Sequence, residues 1–181
     1  MIPPGLSFIA ISQKAWEAAE KSNLPKFYLN LKSYKKSLLS NSNPYTPAVN
    51  LVFALDEALK MMREEGLDNI FSRHNKHKLA VSNATKALNL KLFADEKCLS
   101  PSITAIKTGE MDAEEFRKTI KNNFDILLAG GQDHLKGKIF RVGHLGYVND
   151  RDIITVISAI SNTLLSLSKI TTLQAGKALA V

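Results

Sequence analysis

Apolar residues follow two spacings along this chain. Short, nearly unbroken apolar runs occur at 6–12 (LSFIAIS), 90–94 (LKLFA), 102–106 (SITAI), 124–129 (FDILLA) and 138–142 (KIFRV), and predict strands. Other segments repeat their apolar residues every three or four positions and predict amphipathic helices. Residues 13–21 form a short helix of this kind, and 24–40 is partly helical before the turn-rich NSNPYTP. The clearest stripe follows: Ala48, Val52, Leu55, Leu59 and Met62, with Thr46 as N-cap, Pro47 at the first helical position and Gly66 just past the end. A second stripe runs over about 68–88 through Leu67, Ile70, His74, His77, Val81, Ala84 and Leu88.

Asp112, with Glu115 three residues on, marks the start of a helix over 112–122. Arg117, Lys118 and Lys121 lie towards its end, where the helix dipole favours cations. A last helix opens near Asn149 and Asp150 and carries Ile153, Ile157, Ile160, Leu164 and Leu167. The final dozen residues show no strong period and predict a loose tail. From residue 90 the order is β-β-α-β-β-α. The glycine-rich link between 124–129 and 138–142 is short, which makes those two strands antiparallel neighbours. The predicted class is α/β with α+β character, a small antiparallel-rich sheet covered by helices. The run at 6–12 has no obvious partner in the chain and suits a sheet supplied from elsewhere.

Composition narrows the setting. The 181 residues are 45% hydrophobic and 23% charged, which is ordinary for a globular chain able to bury a core without cross-links. The single cysteine, Cys98, excludes an internal disulfide framework and carries no activating pattern. Neither a signal-peptide pattern nor a roughly 20-residue apolar span is visible, so the expectation is a cytoplasmic protein without membrane contact. The net charge of +7 is scattered, without a block of five like charges. It reads as a solvated lysine face rather than a nucleic-acid footprint.

Four groups are candidates for chemistry. Arg141 stands inside an apolar strand, on the same face as Ile139 and Gly143. Its permanently charged planar fork suits a carboxylate. An internal Asp or Glu, a path to solvent, or a bound ligand would each answer its charge. Thr46 sits either as a plain N-cap or as a phosphate donor at a helix start. His74 and His77 have i, i+3 spacing, but no further ligand completes a metal set, so they read as packing residues and no metal is expected. Lys14 opens an amphipathic helix among solvent-type residues, where nothing lowers its pKa for nucleophilic work.

Three stretches in order, IPPGLSFIAIS, PYTPAVNLVFALDEAL and GKIFRVGHLG, resemble the C-terminal part of class V, fold-type I pyridoxal-phosphate aminotransferases. The nearest branch is that of the alanine–glyoxylate and serine–glyoxylate (serine–pyruvate) enzymes, some of whose members are named soluble hydrogenase subunits. The resemblance runs from Met1 to about Leu167. It implies that Arg141 grips the substrate α-carboxylate. It also implies that Thr46 reaches the cofactor phosphate of the neighbouring subunit in a dimer, that Tyr45 lines the same site, and that Gly130 and Gly131 border the substrate pocket. Residues 1–45 would then be the end of a large-domain region with connecting helices, 46–168 a small domain with its long linking helix, and 169–181 a loose tail. In the family a serine-x-lysine motif shortly before PPG supplies the Schiff-base lysine. Here Met1 stands two residues before Pro3, and Lys14 follows PPG, so the expectation is a chain with no catalytic lysine, inactive alone, with pyridoxal phosphate bound only in the complete enzyme. Small amino acids and 2-oxo acids would be its substrates. The alternative expectation is a non-catalytic interaction subunit of a soluble hydrogenase-type complex.

Overall fold

Among the described residues every paired strand lies between positions 91 and 143, and the chain falls into two compact units, Met1–Glu64 and Glu65–Val181. The structure is a computed structural model and describes residues 2–180. Met1 and Val181, the outer ends of the segments expected at 1–45 and 169–181, lie outside the described residues. The two units divide at the C-terminal end of the long helix that opens near residue 49.

The first unit carries α1 (Gln13–Lys21), α2 (Leu31–Leu39) and most of α3 (Val49–Glu65). Ser12 and Asn30 cap α1 and α2, accepting from Ala15 N–H and Lys32 N–H. The run at 6–12 forms no strand, contrary to the expectation from its apolar continuity. Phe8 and Ile9 are 74% and 68% exposed. A strand needs a neighbour for its backbone donors and acceptors, and none of the four paired strands takes it.

The start of α3 also departs from the expected cap. Val49 N–H donates to the Pro47 carbonyl at 2.9 Å, and the Ala48 carbonyl accepts the first helical bond, from Val52 N–H at 3.1 Å. The donor that a Thr46 hydroxyl would have capped is therefore already taken, and Thr46 stands outside the helix. Gly66 joins α3 to α4 (Leu67–Ala87) with φ +81°, a conformation that costs glycine little and other residues more.

The second unit builds its sheet from β1 (Lys91–Leu92), β2 (Ile103–Lys107), β3 (Ala129–Gly130) and β4 (Ile139–Gly143), all antiparallel in the order β1-β2-β4-β3. The helices are α5 (Ala113–Phe124), α6 (Asp150–Ser166) and α7 (Thr172–Leu179), with α4 beside them. The strand expected at 124–129 shrinks to Ala129–Gly130. Phe124 closes α5, and Asp125 takes the left-handed conformation with its N–H on the Lys121 carbonyl, so the chain leaves the helix by a turn rather than a strand. The expected loose tail is instead α7, opened by a Thr171–Gln174 capping box and packed on α4 and α6 through the buried small residues Ala175 and Ala178. Their short side chains let the helix backbones approach without needing a longer apolar stripe.

Register sorts the sheet into two faces. Thr104 pairs with Val142 and Ile106 with Phe140, so these four share one face. That face meets α4, α5 and α6 in the core, with Phe116, Ile120, Ile153, Ile157, Ile160 and Val81. Phe140 is fully buried, its ring centroid 5.2 Å from that of Phe116. Ala105, Arg141 and Ala129 lie opposite one another across β2, β4 and β3 on the other face.

The chain leaving β4 is tied down by polar groups. Arg73 on α4 pairs with Glu65 and donates through Nη1 to the Gly146 and Val148 carbonyls, at 3.0 and 2.8 Å. The hydrogen bond from Arg73 holds the Glu65 carboxyl below its usual range. His74 accepts from Gly146 N–H at 3.3 Å, while its Nδ1 faces the Ile70 carbonyl. Lys76 and His77 both reach Asp150, at 2.6 and 2.9 Å, and hold its carboxyl down, Lys76 most strongly. The buried His144 contacts the Pro101 carbonyl through Nδ1 at 3.1 Å and the Thr104 hydroxyl through Nε2 at 2.8 Å. A carbonyl only accepts, so Nδ1 carries the proton and Nε2 accepts from Thr104, which is the neutral form. Burial pushes the His144 imidazole below its ordinary value.

Two stability measurements follow. Phe140→Ala leaves a cavity at the sheet–helix contact and should cost about 3–5 kcal/mol in urea unfolding of the second unit; a cost under about 1 kcal/mol would contradict that packing. Because the folded pKa of His144 lies below the reference of about 6.5, its contribution is complete above that pH and declines as pH falls below it. The unfolding midpoint should therefore drop between pH 7.5 and 5.5, and His144→Gln should flatten that drop. An equal slope in the variant would remove His144 as its source.

Candidate functional site

Arg141 occupies the centre of β4, held between Ala105 on β2 and Ala129 on β3. The strand forms here because Ile139, Phe140 and Val142 are buried β-formers, and strand alternation then turns Arg141 away from the helix-packed face. Both cross-strand neighbours are alanines, so nothing large covers the guanidinium from the sheet itself. Arg141 is half-buried, and its Nε donates to the Gly130 carbonyl at 2.9 Å. Among the described residues no carboxylate forms an ion pair with it, whereas Arg73 and Arg117 each have one. Of the three ways to answer a charge in this strand, the internal acid is thus absent among the described residues. The Nε bond orients the group and leaves the two terminal nitrogens for a planar, two-oxygen partner.

Close approach requires glycine at 131, whereas a side chain at 130 would displace the ends of Arg117 and Glu114. A Cβ at Gly131 would collide with the Leu135 carbonyl, and one at Gly130 would lie 2.5 Å from Arg117 Nη1 and 2.7 Å from Glu114 Oε1. Arg117, on α5, donates through Nε to the Leu128 carbonyl and through Nη1 to Glu114, both at 2.8 Å. This pair was not among the candidates read from sequence. Its signal there is only the i, i+3 spacing of opposite charges, which is common on solvated helices.

Thr46 and Tyr45 lie in the first unit. Thr46 is exposed, just ahead of α3, and its hydroxyl makes no hydrogen bond among the described residues. Tyr45 is half-buried and already committed: its hydroxyl donates to the Phe27 carbonyl at 3.0 Å, and its ring lies 4.7 Å from Tyr28 and 6.1 Å from Tyr34. Phe27 completes this aromatic group at 5.8 Å. Desolvation, with Tyr28 as the next cause, raises the Tyr34 hydroxyl above its usual value. Sequence reading singled out Tyr45 alone, since Phe27, Tyr28 and Tyr34 reach it from a different part of the chain.

The remaining candidates are placed as follows. Lys14 is exposed on α1, and Cys98 is exposed in a short 3₁₀ turn. His74 and His77 serve the β4 exit, and the buried His77 Nδ1 has no hydrogen-bond partner among the described residues. Among the described residues no three His, Cys, Asp or Glu side chains gather as a metal site. No helix among them is long and apolar enough to cross a membrane.

No protein-family profile matches the chain. A soluble hydrogenase 42 kDa subunit of Anabaena cylindrica is 54% identical over 167 residues, covering 92% of this chain and 44% of the relative. An L-aspartate–glyoxylate aminotransferase of Paracoccus denitrificans is 33% identical, covering 99% of this chain and 46% of its own length. Among solved structures, the ureidoglycine–glyoxylate aminotransferase of Bacillus subtilis superposes with a TM-score of 0.82 at 29% identity, covering 93% of this chain and 44% of the other. The chain spans less than half the length of the curated relatives it matches. By sequence and by fold, it is homologous to the C-terminal half of the class V, fold-type I aminotransferases of the glyoxylate branch.

Proposed function

We propose that this chain forms the C-terminal portion of a pyridoxal-phosphate-dependent aminotransferase that moves an amino group between a small amino acid and a 2-oxo acid such as glyoxylate or pyruvate, and that Arg141 holds the substrate α-carboxylate. One observation carries the reading: a half-buried strand guanidinium, oriented by Gly130, with no carboxylate partner among the described residues. The names of the aminotransferase relatives support the reaction class.

The residues fit the groups they would meet. Two terminal Arg141 nitrogens match the two oxygens of a carboxylate, and the alanines beside them leave room for one. Thr46, exposed and with its hydroxyl unengaged, would hold the cofactor phosphate of a neighbouring subunit; Tyr45, with its hydroxyl on Phe27, fits as a wall of that site rather than as a donor. Pyridoxal phosphate, when bound, supplies an electron sink for the bonds at the substrate Cα. Arg141 contributes orientation: gripping the carboxylate fixes the rotation of the substrate about Cα, and hence the direction of the C–H bond that is to break.

In the active transaminase containing this segment, Arg141→Ala should lower kcat/KM for amino-acid substrates by about 2–3 kcal/mol, the loss expected for a charged hydrogen-bonded pair. Arg141→Lys should recover only part of this, since an ammonium has no two-pronged fork. An unchanged kcat/KM in Arg141→Ala removes the carboxylate role.

A second reading is favoured by the 54% identity to a protein named as a soluble hydrogenase subunit: the chain serves as a non-catalytic interaction subunit of such a complex. It requires co-elution with hydrogenase polypeptides at fixed stoichiometry through two chromatographic steps. Elution of the chain apart from them would sink this alternative.

A further inference from the structure

We infer that the Glu114–Arg117 ion pair on α5 is a positioning device for the Arg141 guanidinium, acting through the backbone of β3. Its usefulness rests on the carboxylate role proposed for Arg141; its geometry does not. The strand β3 is two residues long and pairs only with Arg141 and Phe140. So short an edge strand has little pairing of its own to set where its carbonyls point. The Gly130 carbonyl nevertheless holds Arg141 Nε at 2.9 Å.

Arg117 supplies what the pairing lacks. Its Nε takes the Leu128 carbonyl at 2.8 Å, fixing the chain two residues before Gly130. Its Nη1, paired with Glu114, lies where a Gly130 side chain would begin. The guanidinium therefore occupies the side-chain position of Gly130, while the Gly130 carbonyl reaches Arg141. A side chain at 130 would have to displace the ends of Arg117 and Glu114, which couples residue 130 to the position of Arg117. Arg117 is a positioning residue, acting on Arg141 through the backbone of β3.

The test is nitrogen-15 NMR of arginine side-chain Nε–H groups in the full 181-residue chain. The Arg141 signal is identified by its loss in Arg141→Lys. In the unaltered chain it should exchange slowly with solvent, because its hydrogen is held by Gly130. In Arg117→Ala the protected signal should disappear while the backbone amide spectrum of the second unit stays dispersed. Glu114→Gln, a milder change at a more exposed residue, should move the same signal in the same direction by less. If Arg117→Ala does not fold, Glu114→Gln decides alone. An Arg141 Nε–H signal unaltered in position and exchange in the folded variant overturns the inference. Titration with acetate addresses the carboxylate role separately: an Arg141 signal indifferent to acetate in the unaltered chain counts against that role, while the effect of Arg117 on the signal remains readable.

Discussion

A guanidinium cannot shed its charge, and it sits here in the middle of a paired strand. Most of what surrounds β4 follows from that constraint. The strand must bury Phe140 and Val142 against the helices, so alternation sends Arg141 to the opposite face. There it is flanked by alanines, which neither cover it nor neutralise it. Partial burial of the side chain is tolerable because Nε has the Gly130 carbonyl, and among the described residues the terminal nitrogens make no hydrogen bond that would occupy them. The hydrophobic side of one strand thus decides where the charge of the same strand is displayed.

Holding that display steady falls to groups on both flanks of β4. Ahead of it, α5 reaches the Leu128 carbonyl through Arg117, whose Nη1 takes the space a Gly130 side chain would occupy. Beyond it, Arg73, His74, Lys76 and His77 on one helix meet the segment from Gly146 to Asp150. His144 closes the strand end by bonding Thr104 of β2 and the Pro101 carbonyl. Many of these bonds run between a side chain and a backbone carbonyl or amide. Such contacts fix the path of a glycine-bearing loop whose own residues offer little to pack. The histidines that looked like packing residues are therefore structural in a more specific sense, as pins for the segment that leaves the arginine strand.

How much could be read beforehand depended on the range of the interaction concerned. The helices α1, α4 and α6, the antiparallel pairing of the last two strands and the unusual status of Arg141 were legible because each rests on local periodicity, a cap or a short loop. The cap expected at Thr46 failed because Pro47 took the donor concerned, a detail of backbone geometry. The strand at 6–12 failed because apolar continuity reports a wish for burial and says nothing of whether a partner strand is at hand. The tail became α7 because two alanines sufficed once α4 and α6 offered a surface, and small residues leave almost no periodic signal.

The sequence by itself determined the class of the fold, the face on which Arg141 lies and the resemblance that implies a carboxylate partner for it, since strand alternation and motif order are properties of neighbouring residues. Only the tertiary structure decided that no acid among the described residues pairs with Arg141, that Gly130 orients it and that Arg117 abuts Gly130. Those facts depend on residues 11 to 13 positions apart being brought together by the packing of α5 on the sheet. A charge's partner is set by distance in space, which no local pattern encodes.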